Sequence, residues 1–148
     1  MKMKEINRMC IEFPAKSCNE GFARSVVAAF AAQIDPRFDE LSDLRTAVSE
    51  GVTNAIVHAY SGTQREQNSV KLECVLYPNT IEITITDYGK GIEDVMQARA
   101  PLYTTAPELE RSGMGFTIME TFTDDMFVES KPGAGTKVFL RKVFTVNA

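Results

Sequence analysis

Residues 70 to 87 read VKLECVLYPNTIEITITD, two runs that alternate apolar and polar side chains at period two around Pro78-Asn79. That period belongs to a half-buried strand, and two such runs around a short Pro-Asn break form an antiparallel hairpin. A sheet that is apolar on one face must be covered there by another layer.

The covering layer is legible on either side. SCNEGFARSVVAAFAAQI opens with a capping box, Ser17 to Glu20, and continues with Phe22, Val26, Ala29, Phe30 and Gln33 at helical spacing until Asp35-Pro36 stops it. A second helix is expected from about Asp39 to Ala59, with Leu41, Leu44, Val48, Val52, Ala55, Ile56 and Ala59 in one apolar stripe. EINRMCIEF reads as a strand ending at Pro14, and MFVES with GTKVFLRKVF as a last hairpin joined by residues 131 to 135. GMGFTIMETF restores helical spacing after two glycines. Between Ile92 and Ser112 no period holds, and irregular connections of that length tend to be functional. The expected fold is α+β, a sandwich with a mostly antiparallel sheet and helices on one face, in one domain spanning 1–148.

Composition removes several function classes. Sixteen Lys and Arg against twenty Asp and Glu give a formal charge of −4, without the broad basic field that nucleic-acid binding needs, so no direct nucleic-acid partner is expected. Cys10, Cys18 and Cys74 are odd in number and fit neither a CxxC pair nor a disulfide framework; they read as reduced thiols filling small apolar spaces. No apolar run approaches a membrane span and the start is too polar for a signal peptide, so the expectation is a cytoplasmic protein with no membrane partner.

Three short elements carry chemistry. In SEGVTNAIVHAY, Glu50, Asn54 and the chain's single histidine, His58, follow one another at four-residue spacing. A rotation of about 100° per residue sets Glu50 and Asn54 nearly opposite the apolar stripe, on a face away from the sheet. Such a pair is ordinarily a solvated face, yet an amide oxygen suits a hard cation and a carboxylate one turn earlier can take a proton from a hydroxyl. DYGKG, Asp87 to Gly91, stands at a strand end and is either a tight turn or a carboxylate that accepts from an exocyclic amine, beside glycines that admit a flat ring. RSGMGF sets Gly113 and Gly115 at a helix start, where free N–H groups either cap the helix or favour phosphate.

In this order and spacing the three elements resemble the N, G1 and G2 boxes of the GHKL (Bergerat) ATPase/kinase superfamily, and APLYTTAPELERSGMGFTIMETF resembles the ATP lid and second glycine box of its small anti-sigma-factor serine kinases. The resemblance implies ATP and Mg²⁺ as cofactors, Asn54 as the Mg²⁺ ligand, and Glu50 as the base that accepts the proton of an attacking serine hydroxyl. It places Asp87 at the adenine amine, Gly89 and Gly91 along base and ribose, and Thr136 beside the adenine. Gly113 and Gly115 fall to the phosphates, Thr105 to the nucleotide contacts of the lid, and Arg111 to the γ-phosphate. His58 is expected to pack or to support the site rather than to accept phosphate, because it lies inside the N-box helix.

The same resemblance implies a homodimer that holds a sporulation sigma factor in its ATP form and phosphorylates a serine of an anti-anti-sigma protein, with Arg24 and Glu110 as possible protein contacts. Two alternatives stay open: a paralogous stress-response anti-sigma kinase, and a non-catalytic nucleotide-dependent binding module.

Overall fold

The computed structural model describes residues 3–59, 68–92, 94–99 and 115–145. Among them, β1 (Asn7–Pro14), β2 (Ser69–Leu76), β3 (Thr80–Asp87), β4 (Asp125–Lys131) and β5 (Gly135–Val143) form one sheet in the order β1-β2-β3-β5-β4, every neighbouring pair antiparallel. The helices are α1 (Cys18–Ala31), α2 (Phe38–Thr53), α3 (Val95–Ala98) and α4 (Gly115–Thr121).

Register explains why a single face is covered. Leu72 stands opposite Ile85, Cys74 opposite Ile83 and Leu76 opposite Ile81, and β5 continues the row with Leu140 against Ile83 and Val138 against Ile85. All of these side chains are buried, together with Leu44, Val48 and Val52 of α2 and Met119 of α4. α2 lies between α1 and α4 and packs against both. Lys71, Glu73, Glu82 and Thr84 alternate with the buried row and point to the uncovered face.

Gly51 sets how closely α2 approaches the sheet. A Cβ there would lie 2.5 Å from Ile85 Cδ1 and 3.2 Å from Met119 Sδ, so the helix, β3 and α4 converge on a position that has room only for hydrogen. The buried stripe of α2 accordingly includes Ala47 and Gly51 beside the expected Leu44, Val48, Val52 and Ala55, while Leu41 and Ile56 are only partly buried.

Several local expectations are corrected. Ser17 makes no side-chain cap on α1. Glu20 is drawn instead toward α2, where it accepts from Ser49 Oγ at 2.7 Å, so a tertiary contact displaces the capping box. The core face of α1 is Ala23, Val27, Phe30 and Ala31, about one residue round from the expected stripe; Phe22 is exposed and meets Phe13 edge-on, with ring centroids 6.5 Å apart. Of the cysteines, Cys74 alone is buried, its thiol pushed up to about 12 by desolvation; Cys10 lies on the uncovered face opposite Glu73, and Cys18 at the exposed start of α1. The second helix does not remain α to its end, since Asn54–His58 is a π-turn whose widened bond runs from Ala59 N–H to Asn54 O at 3.2 Å. Within the stretch expected to be irregular, α3 forms a single turn capped by Asp94, whose side chain accepts from Gln97 N–H.

Two glycines separate packing from propensity. Gly51→Ala is expected to destabilise the fold by ~1–3 kcal/mol through overpacking. Gly21→Ala, where the nearest atom to an added Cβ is Arg24 Nη2 at 3.5 Å, is expected to stabilise it by ~0.5–1 kcal/mol through helix propensity. Urea unfolding of the two variants measures both signs.

Candidate functional site

Asp87 ends β3 opposite Thr136 at the start of β5. One carboxylate oxygen, Oδ1, accepts from Gly89 N–H at 3.0 Å and from Thr136 N–H at 3.2 Å. Neither bond uses Oδ2, which has no hydrogen-bond partner among the described residues. The side chain is buried, and desolvation pushes its pKa up from 3.8 to about 6 against the opposing pull of the two backbone donors. The sheet thus holds a carboxylate with one oxygen bonded twice by the backbone and the other without a partner among the described residues.

The chain after Asp87 is fastened at four points. Besides Gly89 N–H on Asp87, Lys90 N–H donates to Ala59 O at 2.9 Å, Lys90 O accepts from Gly133 N–H at 2.6 Å, and Ile92 N–H donates to Ser130 Oγ at 2.7 Å. The loop is pinned between the end of the α2 π-turn and the β4–β5 turn. Gly89 and Gly91 make this possible: a Cβ on Gly89 would collide with Ala59 O, and Gly91, at φ +77°, lies against Lys131 O.

These fastenings frame a cavity of about 610 Å³. The helix side supplies Gly51, Asn54, Ala55, His58 and Ala59; the sheet supplies Ile85, Asp87, Thr136 and Val138; the loop and α3 supply Lys90, Gly91, Ile92, Asp94, Gln97 and Ala98; and Gly115 with Phe116 opens α4. Such a volume suits a nucleotide-sized ligand. Ala55 leaves room on the helix side, while Gly51 lets α2 close against Ile85 at the edge of the cavity.

Asn54 is therefore on the wall between helix and sheet, which corrects the expectation that it faces away from the sheet. Its side-chain amide has no hydrogen-bond partner among the described residues. Glu50, one turn earlier, does not line this cavity; it borders a separate, smaller depression of about 270 Å³ with Arg24, Ser42, Arg45, Thr46 and Ser49. Arg24 is held there by Glu20 at 4.0 Å and Ser49 Oγ at 3.5 Å.

The cavity brings together Asn54, Asp87, Gly91, Gly115 and Thr136 from the sequence-derived set. Gly89 supports the wall without lining it. Thr105, Glu110, Arg111 and Gly113 lie outside the described residues. Sequence reasoning passed over Lys90, Asp94, Phe116 and Pro132 on the wall and Ser130 behind it. Lys90 stood inside DYGKG, and Asp94 before VMQA has the form of a helix cap, whereas Ser130 reaches Ile92 through a fold-level contact without a local signature.

The Asp87 oxygen left without a partner among the described residues fits an exocyclic amine, and the Asn54 side-chain oxygen on the same wall is of the hard kind that would suit Mg²⁺. Among the described residues no cluster of three or more His, Cys, Asp or Glu side chains is placed to hold a metal alone, and no helix is long and apolar enough to cross a membrane.

Residues 13–142 match the family of histidine kinase-like ATPase domains. The chain is 53% identical over 140 residues to the anti-sigma F factor of Clostridium botulinum (strain Eklund 17B / Type B), covering 95% of this chain and 96% of that protein. It is 54% identical to the anti-sigma F factor of Clostridium beijerinckii over the same shares, and 53% identical to that of Halalkalibacterium halodurans over 94% of each chain. The chain belongs to the anti-sigma F factors, within the histidine kinase-like ATPase domain family. It is also similar in fold to part of the structure of the RsbU and RsbW domains of Rv1364c from Mycobacterium tuberculosis, at TM-score 0.69 and 16% identity over 97% of this chain and 34% of that longer one. The catalytic domain of the histidine kinase ThkA matches at TM-score 0.55 and 12% identity, over 94% of this chain and 99% of that one.

The raised pKa of Asp87 sets a pH dependence in the ligand-free protein. A carboxyl that ionises at 3.8 unfolded and near 6 folded contributes stability that is complete below about pH 4 and lost as pH rises through about 6, up to ~3 kcal/mol in all. The difference in unfolding free energy between wild type and Asp87→Asn, measured from pH 4 to 7, is expected to shift against the wild type across that window. A flat difference would place Asp87 in solvent.

Proposed function

We propose that this protein is an ATP-dependent protein serine kinase that also captures a sporulation sigma factor, and that its phosphoryl acceptor is a serine of a small anti-anti-sigma protein. The observation that carries the reading is Asp87, a buried carboxylate with one oxygen unspent on the wall of a nucleotide-sized cavity. The names of relatives at 53–54% identity supply the sigma partner. The protein is read as cytoplasmic and homodimeric, with sigma held in the ATP-bound state.

Each residue then has a stated task. Asp87 Oδ2 accepts from the adenine amine, Thr136 meets the base beside it, and Gly91 lets the loop backbone close on base and ribose. Asn54 supplies an oxygen to Mg²⁺, which neutralises phosphate charge when bound. Gly115 opens α4 at the cavity, and Gly113 joins it at the phosphates. Thr105 and Arg111, outside the described residues, are assigned to the nucleotide by the resemblance, Arg111 with the delocalised charge that phosphoryl transfer rewards. Glu50 takes the proton of the acceptor hydroxyl. Its place in a separate surface depression, rather than in the cavity, suits a base whose substrate is a protein approaching from outside.

That placement also gives the second reading its force. If Glu50 has no catalytic task, the protein is a binding module in which ATP only shapes the surface offered to sigma. Labelled γ-phosphate transfer from ATP and Mg²⁺ to candidate acceptor proteins separates the two. Glu50→Gln keeps size and hydrogen bonding but removes the base, so transfer is expected to fall roughly a hundred- to ten-thousand-fold while ATP-dependent sigma capture persists. Normal transfer by the variant would remove Glu50 from the chemistry. Asp87→Asn sets a donor against the adenine amine and is expected to weaken ATP binding roughly tenfold or more by calorimetry.

A further inference from the structure

Ser130 stands on β4 opposite Thr136 of β5, half-buried behind the cavity wall. Its hydroxyl oxygen lies 2.7 Å from Ile92 N, 3.0 Å from Gly135 O and 2.8 Å from Thr136 Oγ1. Ile92 and Thr136 both line the cavity, one from the loop and one from the sheet. We propose that Ser130 is a positioning residue for base recognition, whose hydroxyl sets the direction of the Thr136 proton and holds Ile92 beside it; the inference rests on the ATP reading above.

Proton counting gives the mechanism. A serine hydroxyl has one proton and two lone pairs. The Ile92 N–H donates to one lone pair, and Gly135 O can only accept. If Ser130 donates to Gly135 O, Thr136 donates to the remaining lone pair of Ser130, and Thr136 Oγ1 offers the cavity an acceptor alone. If Ser130 donates to Thr136 Oγ1, the Thr136 proton is released to turn into the cavity as a donor. The pair thus exchanges an acceptor for a donor at the wall by rotating two hydroxyls, without moving the backbone.

An aminopurine edge presents both an amine donor and a ring-nitrogen acceptor. Asp87 answers the first, and Thr136, joined to Asp87 Oδ1 by its own N–H, stands beside it to answer the second. Ser130 is what allows Thr136 to be a donor there while its oxygen stays hydrogen-bonded. Gly135 O keeps the alternative arrangement satisfied when no base is present.

The test is a double-mutant cycle on ATP affinity by calorimetry, with Ser130→Ala, Thr136→Val and the double variant. Ser130→Ala is expected to weaken ATP about tenfold in the wild-type background, and about threefold or less once Thr136 has lost its hydroxyl, the residue being the Ile92 contribution. A part played only in strand stability would lower the melting temperature without this coupling. If Ser130→Ala fails to fold, the equally shaped pair Ser130→Thr and Ser130→Val enters the same cycle, with Thr expected near wild type. Coupling of about threefold or more supports the inference; smaller coupling, or an unchanged affinity in Ser130→Ala, overturns it alone. A wild-type protein that does not bind ATP overturns the ATP reading and this inference together.

Discussion

The two bonds that Asp87 Oδ1 receives from Gly89 and Thr136 hold the rest of the site in place. They join the end of β3, the loop that leaves it and the start of β5 through one atom. Both donors are backbone N–H groups, so the carboxylate is fixed without a cation. Burial raises its pKa to about 6 nonetheless, which shows that the two bonds do not repay the cost of removing the charge from water. A carboxylate held in that condition is poised for a ligand donor, because a third hydrogen bond to Oδ2 favours the charged form that burial penalises.

The remainder of the cavity follows from keeping that oxygen accessible. Ala55 leaves space between α2 and the sheet, Gly51 lets the helix close on Ile85 beside it, and Asn54 at the start of the π-turn reaches the wall. Gly89 brings Ala59 against the loop, and Gly91 brings the loop against Lys131. The hydroxyls of Ser130 and Thr136 complete a hydrogen-bonded rim behind the cavity wall. Stability and function share these contacts, so the loop that frames the ligand is also tied to the helix end and to the β4–β5 turn.

The sheet was legible because period two in residues 70 to 87 leaves one register that buries the apolar row. That Asp87, Asn54, Gly91, Gly115 and Thr136 come together on one cavity was legible for a different reason, namely that they were picked out by resemblance to a family pattern. What local sequence missed depends on tertiary competition. Ser17 lost its capping partner because Glu20 is taken by Ser49, and α1 turned by about one residue because its neighbour is α2. The α-to-π change at Asn54 has no signature in NAIVH, and Ser130 finds Ile92 across 38 residues of chain. Glu50 and Asn54 look equivalent on a helical wheel, yet packing against β3 and α4 at Gly51 sends Asn54 to the cavity and Glu50 to the separate depression.

The central claim is that Asp87 is the acceptor for a base amine, and its own titration tests it most directly. Carboxyl carbon NMR of Asp87 should show ionisation near pH 6 in the free protein and, with saturating ATP, a midpoint well below that, accompanied by proton release on binding between pH 5 and 6 on the order of a fraction of a proton per nucleotide. A midpoint that stays near 6 or rises when ATP is bound would contradict the account, because the nucleotide would then be making no bond to the charged form.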